Sequence, residues 1–188
     1  MKQYPNLQDY NLVVENLGSF GRLDLLERAV PARGTGNRLI AYSGGYSRVY
    51  RMHLDGSSFA LRCWTAEVPE ALERYRCIDG FMRGRRPQSF VGFSYHEDAL
   101  IVRGNLYSVL WMDWVEGETL RSFVNRHMGD GAVLEDLARR FLKMVRDLHD
   151  LGVSHGDLQD ENILVQMGSD AQPDLRLIDY DSVFVPGL

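Results

Sequence analysis

Apolar and polar positions change period several times along this chain, and each change predicts an element. Residues 1–36 show no sustained strand pattern and read as a helical or irregular lead-in. Within it, Leu23 to Val30 fits a short helix ended by Pro31. Arg33-Gly34-Thr35-Gly36-Asn37 reads as a loop. From Leu39 the pattern turns to strands. Tyr46 to Leu54 alternates around Val49, Asp55-Gly56-Ser57 is a hairpin turn signal, and Phe59 to Trp64 returns as the partner. Val68 to Met82 places Ala71, Leu72, Tyr75 and Ile78 at helical spacing, with Pro69 near the start. Three apolar runs follow, Phe90–Tyr95, Ala99–Val102 and Tyr107–Trp114, each read as a strand, and Gly117 breaks the last. Thr119 to Met128 reads as a short helix.

Leu134 to Leu151 carries the clearest amphipathic stripe: Leu134, Leu137, Phe141, Leu142, Met144, Val145 and Leu148, with Gly152 placed as a stop. The remainder predicts a strand at Asn162–Gln166, a turn near Gly168-Ser169-Asp170 and a strand at Leu175–Ile178. Sheet, one helix, more sheet, then helices and a short hairpin is the order of an α+β protein: an antiparallel sheet lobe followed by a helical one. The expected divisions are residues 1–38 as an extension, 39–115 as the sheet lobe and 116–188 as the helical lobe.

Composition narrows the class. Hydrophobic residues make up 45% of the 188, enough for a packed core, and no apolar run reaches the about 20 residues that span a bilayer. The balance of 21 basic and 26 acidic residues gives a net charge of −5, which argues against nucleic acid or an anionic membrane as partner. Cys63 and Cys77 match no metal or redox spacing, and Cys63 sits in an apolar run as a core residue would. That usage and the absence of an apolar leader point to the cytoplasm.

The chemistry concentrates in His155-Gly156-Asp157-Leu158-Gln159-Asp160-Glu161-Asn162, followed by an apolar strand, and then in Ile178-Asp179-Tyr180-Asp181. An Asp, an Asn five positions on and a second Asp beyond a hairpin is the set that phosphoryl transfer uses. One carboxylate orients a hydroxyl, while an amide oxygen and a second carboxylate hold Mg²⁺.

These motifs resemble those of the protein-kinase superfamily, over residues 39 to 181. The pattern H-x-D-L-x-x-x-N falls on His155, Asp157, Leu158 and Asn162, and Asp179 matches the Asp of D-F-G. The resemblance implies Asp157 as catalytic base, Asn162 and Asp179 as Mg²⁺ ligands, and His155 as a packing residue. It makes Ser43 to Tyr50 the phosphate-covering loop, with Gly44, Gly45, Ser47 and Val49 near the nucleotide, though only Gly44 occupies a motif glycine. Ala60 lines the nucleotide site. Arg62 stands where the family has its Lys, in a catalytic and nucleotide-binding position, and Glu73 (or Glu70) is the expected helix partner. Met112 lines the back of the adenine pocket, and Asp113, Trp114 and Val115 form the hinge. ATP and Mg²⁺ are the implied cofactors.

Departures from the pattern matter as well. Gly156 replaces the Arg that serves a phosphorylated activation loop, which implies control without that switch. Asp181 replaces the Gly of D-F-G and reads either as a third metal ligand or as a loop acid. Arg62 and D-Y-D together resemble a bacterial protein-kinase-like family. The implied acceptor is a hydroxyl, of protein Ser or Thr first. A pseudokinase scaffold and a small-molecule kinase of the aminoglycoside type are the alternatives. The chain stops seven residues after Asp181, from which we expect a truncated helical lobe, little catalysis by this segment alone, and self-association through the surface so exposed.

Overall fold

The computed structural model describes residues 3–83, 85, 87–168 and 172–188. It is an α+β protein whose chain divides into two compact units, one of Met1–Leu72 with Gly92–Trp114, the other of Glu73–Val91 with Val115–Leu188.

The first unit opens with three helices: α1 (Leu7–Val14), α2 (Leu17–Phe20) and α3 (Asp24–Arg28). A reciprocal cap sets the start of α1. The Asn6 side chain accepts from the amides of Gln8 and Asp9, and the Asp9 carboxylate accepts from the Asn6 amide at 2.8 Å. Such caps are worth about 1 kcal/mol. Behind the helices stands an antiparallel sheet of β1 (Val30–Pro31), β2 (Ala41–Ser43), β3 (Ser47–Leu54), β4 (Ser57–Trp64), β5 (Phe93–Val102) and β6 (Asn105–Asp113). Its order is β1-β3-β4-β6-β5, with β2 also paired to β3. The β3–β4 hairpin turns on Asp55 (φ 50°) and Gly56 (φ 81°), the doubly positive pair that matches strand twist. The two expected runs at 90–95 and 99–102 merge largely into the single strand β5, whose register slips between His96 and Leu100.

Alternate residues of the strands, Tyr50 and Met52, Leu61 and Cys63, Tyr107 and Val109, share one core with Tyr10, Val13, Val14, Leu17 and Leu26 of the helices. Burying a side chain of this size contributes roughly 1.5–3 kcal/mol. The lead-in therefore belongs to the core of the sheet. Buried hydroxyls find partners: Tyr10 donates to the Trp64 carbonyl at 2.7 Å, and Tyr50 to Asn11 Oδ1 at 2.8 Å. Burial pushes the Cys63 thiol well up, as suits a packing residue.

The second unit holds most of α4 (Ala71–Met82), then β7 (Glu118–Thr119), α5 (Leu120–Arg126), α6 (Gly131–Asp150), β8 (Ile163–Met167) and β9 (Pro173–Leu177), the strands forming an antiparallel sheet β7-β8-β9. Thr119 and Asp130 cap α5 and α6. At Gly117 the backbone passes so close to Val165 that a Cβ would meet its carbonyl oxygen at 2.8 Å. Helix α6 buries Leu137, Met144 and Leu148, while Leu142, expected on the same stripe, is 53% exposed. The helix stops at Gly152 (φ 70°), whose amide returns to the His149 carbonyl. Of the expected turn at 168–170, Ser169 and Asp170 lie outside the described residues. Among the described residues no helix is long and apolar enough to cross a membrane.

Candidate active site

Helix α6 delivers the chain into the segment that carries Asp157. Ser154 forms an antiparallel bridge with Phe184, exchanging hydrogen bonds of 3.0 and 2.8 Å. His155 is buried, and its Nε2–H donates to the Ile178 carbonyl at 3.0 Å. Burial holds its pKa below the usual imidazole value, against a smaller upward pull from that bond and from Asp179 and Asp157. Gly156 takes φ +75°, and a Cβ there would run into the Ser182 carbonyl. Only glycine allows this approach.

Asp157 follows, exposed to solvent. Its Oδ2 accepts from Asn162 Nδ2 at 2.9 Å and from Gln159 Nε2 at 3.2 Å, and its carbonyl accepts from the same Asn162 nitrogen at 3.0 Å. Asn162 is itself buried and fixed by its backbone: its amide donates to Gln159, and its carbonyl accepts from Ile178. With Nδ2 spent on Asp157, the amide oxygen is the group Asn162 retains for a cation.

The second acidic segment leaves β9 at Ile178. Asp179 sits at φ 64°, a left-handed conformation uncommon for a residue with a side chain, and its Oδ1 accepts from the Asp181 amide at 3.4 Å. Tyr180 is fully buried. Its hydroxyl accepts from the Val91 amide at 2.7 Å and donates toward the carbonyls of Leu177 (2.9 Å) and Val91 (3.2 Å). Asp181 Oδ1 accepts from the Tyr75 hydroxyl of α4 at 2.6 Å, and Arg74 donates to the Val183 carbonyl at 3.3 Å. Among the described residues no three His, Cys, Asp or Glu side chains gather as a ready-made metal cluster. Mg²⁺ seldom needs one, since it binds through one or two carboxylates plus water and substrate phosphates. The Asn162 oxygen and the Asp179 carboxylate are donors of the right hardness.

The other expected residues divide between the units. In the first, Gly44 and Gly45 form the exposed β2–β3 turn, closed by Gly44 N–H donating to the Ser47 carbonyl at 3.0 Å. Neither has a positive φ, and a Cβ on either would meet nothing closer than 3.8 Å. The turn itself therefore does not require glycine. Arg62 is buried on β4 and donates from Nε to Ser47 Oγ at 3.0 Å, with its guanidinium 5.8 Å from the Trp64 ring. Val49 lies directly across from Arg62, and Ala60 across from Met112. At the expected hinge, two amides are already spent, that of Asp113 on Gly92 and that of Trp114 on Ser58. In the second unit, Val115 is half-buried and Glu73 is exposed on α4.

Sequence reasoning passed over Tyr75, the Tyr180 hydroxyl and Arg121. Arg121 of α5 donates twice to the Asp160 carboxylate and holds that carboxyl below its usual range. No local spacing announces contacts this distant along the chain.

Residues 115–183, which include Asp157, Asn162 and Asp179, match the Lipopolysaccharide kinase (Kdo/WaaP) family. The chain is also similar to the mitotic checkpoint serine/threonine-protein kinase BUB1 of Arabidopsis thaliana, 25% identical over 137 residues, 67% of this chain and 25% of that protein. It is 30% identical to serine/threonine-protein kinase STE20 of Kluyveromyces lactis over 99 residues, 53% of this chain and 9% of that one. It is 31% identical to the EKC/KEOPS complex subunit BUD32 of Gibberella zeae over 72 residues, 35% and 28%. The chain thus spans less than a third of the length of these relatives.

Proposed function

Taking this chain as a member of the protein-kinase-like superfamily, as those matches and its α+β fold support, we propose that it is an ATP- and Mg²⁺-dependent phosphotransferase acting on a hydroxyl. The observation that carries the proposal is the Asp157–Asn162 clamp. One amide nitrogen holds both the carboxylate and the carbonyl of an exposed Asp. That arrangement orients a base toward an incoming substrate and reserves the amide oxygen for a cation.

In this reading Asp157 orients the acceptor hydroxyl and takes its proton as the new O–P bond forms and the bond to ADP breaks. Gln159, hydrogen-bonded to the same carboxylate, steadies it. Asn162 and Asp179 hold Mg²⁺, which when bound would neutralise charge on the phosphates. Gly44 and Gly45, free of any conformational need for glycine, leave the turn open for phosphate to approach backbone amides. Ser47, Val49, Ala60 and Met112 line the nucleotide, and Arg62 contributes the cation. At the hinge, Val115 supplies the amide that Asp113 and Trp114 have committed elsewhere.

Protein Ser or Thr is the proposed acceptor, in keeping with the names of the kinase relatives. The Kdo/WaaP match supports a sugar hydroxyl as the second possibility. Transfer of label from [γ-³²P]ATP by a full-length form, with protein substrates and with lipopolysaccharide offered in parallel, separates the two. The Asp157→Ala variant should lose transfer to either; equal transfer by that variant would overturn the assignment of the base. A pseudokinase reading draws on Arg62, whose Nε is engaged by Ser47. It predicts nucleotide binding without transfer, and robust transfer by the native chain would end it.

A further inference from the structure

Helix α4 grips the Asp179 segment at two successive residues. The Tyr75 hydroxyl donates to Asp181 Oδ1 at 2.6 Å, and Arg74 donates to the carbonyl of Val183. Tyr75 is fully buried, so its hydroxyl has no access to solvent as a substitute partner. Hydrogen bonds to a carboxylate at this length are among the stronger ones in proteins.

Between these anchors and β9 lies Asp179 at φ 64°. A side-chain-bearing residue keeps such a conformation only where its neighbours over-determine it. Tyr180 supplies one constraint, with its hydroxyl among Val91 and Leu177. Asp181 supplies the other, because its amide reaches Asp179 Oδ1 while its own carboxylate is tied to Tyr75. Releasing Asp181 frees the chain immediately after Tyr180, and the Asp179 carboxylate loses both its fixed backbone and an amide donor.

We infer that Tyr75 and Asp181 are positioning residues, a buried latch from α4 that holds the Asp179 carboxylate in place for the metal–nucleotide. The inference rests on the phosphotransferase reading above. Under this inference Asp181 acts through Oδ1 as an anchor for the loop, the loop-acid side of its two sequence readings.

The test measures Mn²⁺ uptake, by water-proton relaxation, in the presence of a non-hydrolysable ATP analogue, beside affinity for the analogue without metal. Tyr75→Phe and Asp181→Ala should each weaken Mn²⁺ binding about ten- to a hundredfold, the scale of one lost hydrogen bond to a charged acceptor. Metal-free analogue affinity should stay unchanged, a split that general destabilisation would not produce. Asp181→Asn keeps an oxygen for Tyr75 and should retain most of the Mn²⁺ affinity that Asp181→Ala loses, whereas loss equal to that of Asp181→Ala would overturn the anchor. Unchanged Mn²⁺ affinity in Tyr75→Phe would overturn it too. If the native chain takes up no Mn²⁺ with the analogue, the phosphotransferase reading falls, and the latch is judged on the ligand-free protein. Shifted Asp179–Asp181 amide resonances in Tyr75→Phe, with non-additive unfolding losses in the double variant, would uphold it. Unmoved resonances and additive losses would dismiss it.

Discussion

Replacing Gly156 by alanine should unfold this protein several degrees earlier, and two separate terms set the size. The residue sits at φ +75°, where an L side chain costs roughly 1–2 kcal/mol. The new Cβ would also press into the backbone carbonyl of Ser182 and lie 3.0 Å from the Ser182 Cβ. Backbone cannot swing aside as a flexible side chain can, and overpacking of this kind costs about 1–3 kcal/mol. The sum is roughly 2–5 kcal/mol, or about 4–20 °C in Tm for a chain of this size. Urea and thermal unfolding followed by circular dichroism would measure it. Gly80→Ala is the matched control. Gly80 lies exposed inside α4, and a Cβ added there would have nothing within 4 Å, so alanine should stabilise by about 1 kcal/mol. An unchanged midpoint in Gly156→Ala would refute the steric argument. The same geometry explains why His155-Gly156-Asp157 lacks an arginine at its centre: any larger residue would need its Cβ where the Ser182 carbonyl stands.

Two further outcomes follow from buried polar groups. Tyr180→Phe removes the hydroxyl that accepts from the Val91 amide and should cost about 1–3 kcal/mol by denaturant unfolding, because a buried N–H is left unpaired; a loss below about half a kcal/mol would mean that Val91 finds another partner. Burial depresses the His155 pKa, so the folded state binds fewer protons than the unfolded one, whose value is about 6.5. The stability due to neutral His155 is complete above that pH and is lost as pH falls toward the folded value. Thermal scans between about pH 7.5 and 5 should show a slope that His155→Asn flattens, and parallel slopes would count against it.

Much of the fold was legible because local signals agreed with the tertiary outcome. The Asp55-Gly56 turn, the stripe of α6 apart from Leu142, its Gly152 stop, and the two strands between the Asp157 and Asp179 motifs appear close to where their spacing predicts. Helix α1 was legible too, and passed over: Asn6 and Asp9 form the cap, and Tyr10, Val13, Val14 and Leu17 repeat at helical spacing. Strand β5 read as two because the polar run at Glu97-Asp98 breaks its alternation at the register slip. The motif fixed which residues to watch but not how they are held. The Tyr75–Asp181 and Arg121–Asp160 bonds span 106 and 39 positions, and such pairings leave no periodic trace. The reason for Gly156 was likewise hidden, since it lies in a neighbour brought close by the Ser154–Phe184 bridge.

A working Mg²⁺–nucleotide site built on Asn162 and Asp179 should be visible in thermal unfolding with ATP, measured with and without Mg²⁺. At about 100 times its dissociation constant a ligand adds about 2.7 kcal/mol of stability. Tm should rise only when Mg²⁺ is present, and the rise should disappear in Asp179→Ala. No shift, or an equal shift in that variant, would contradict it.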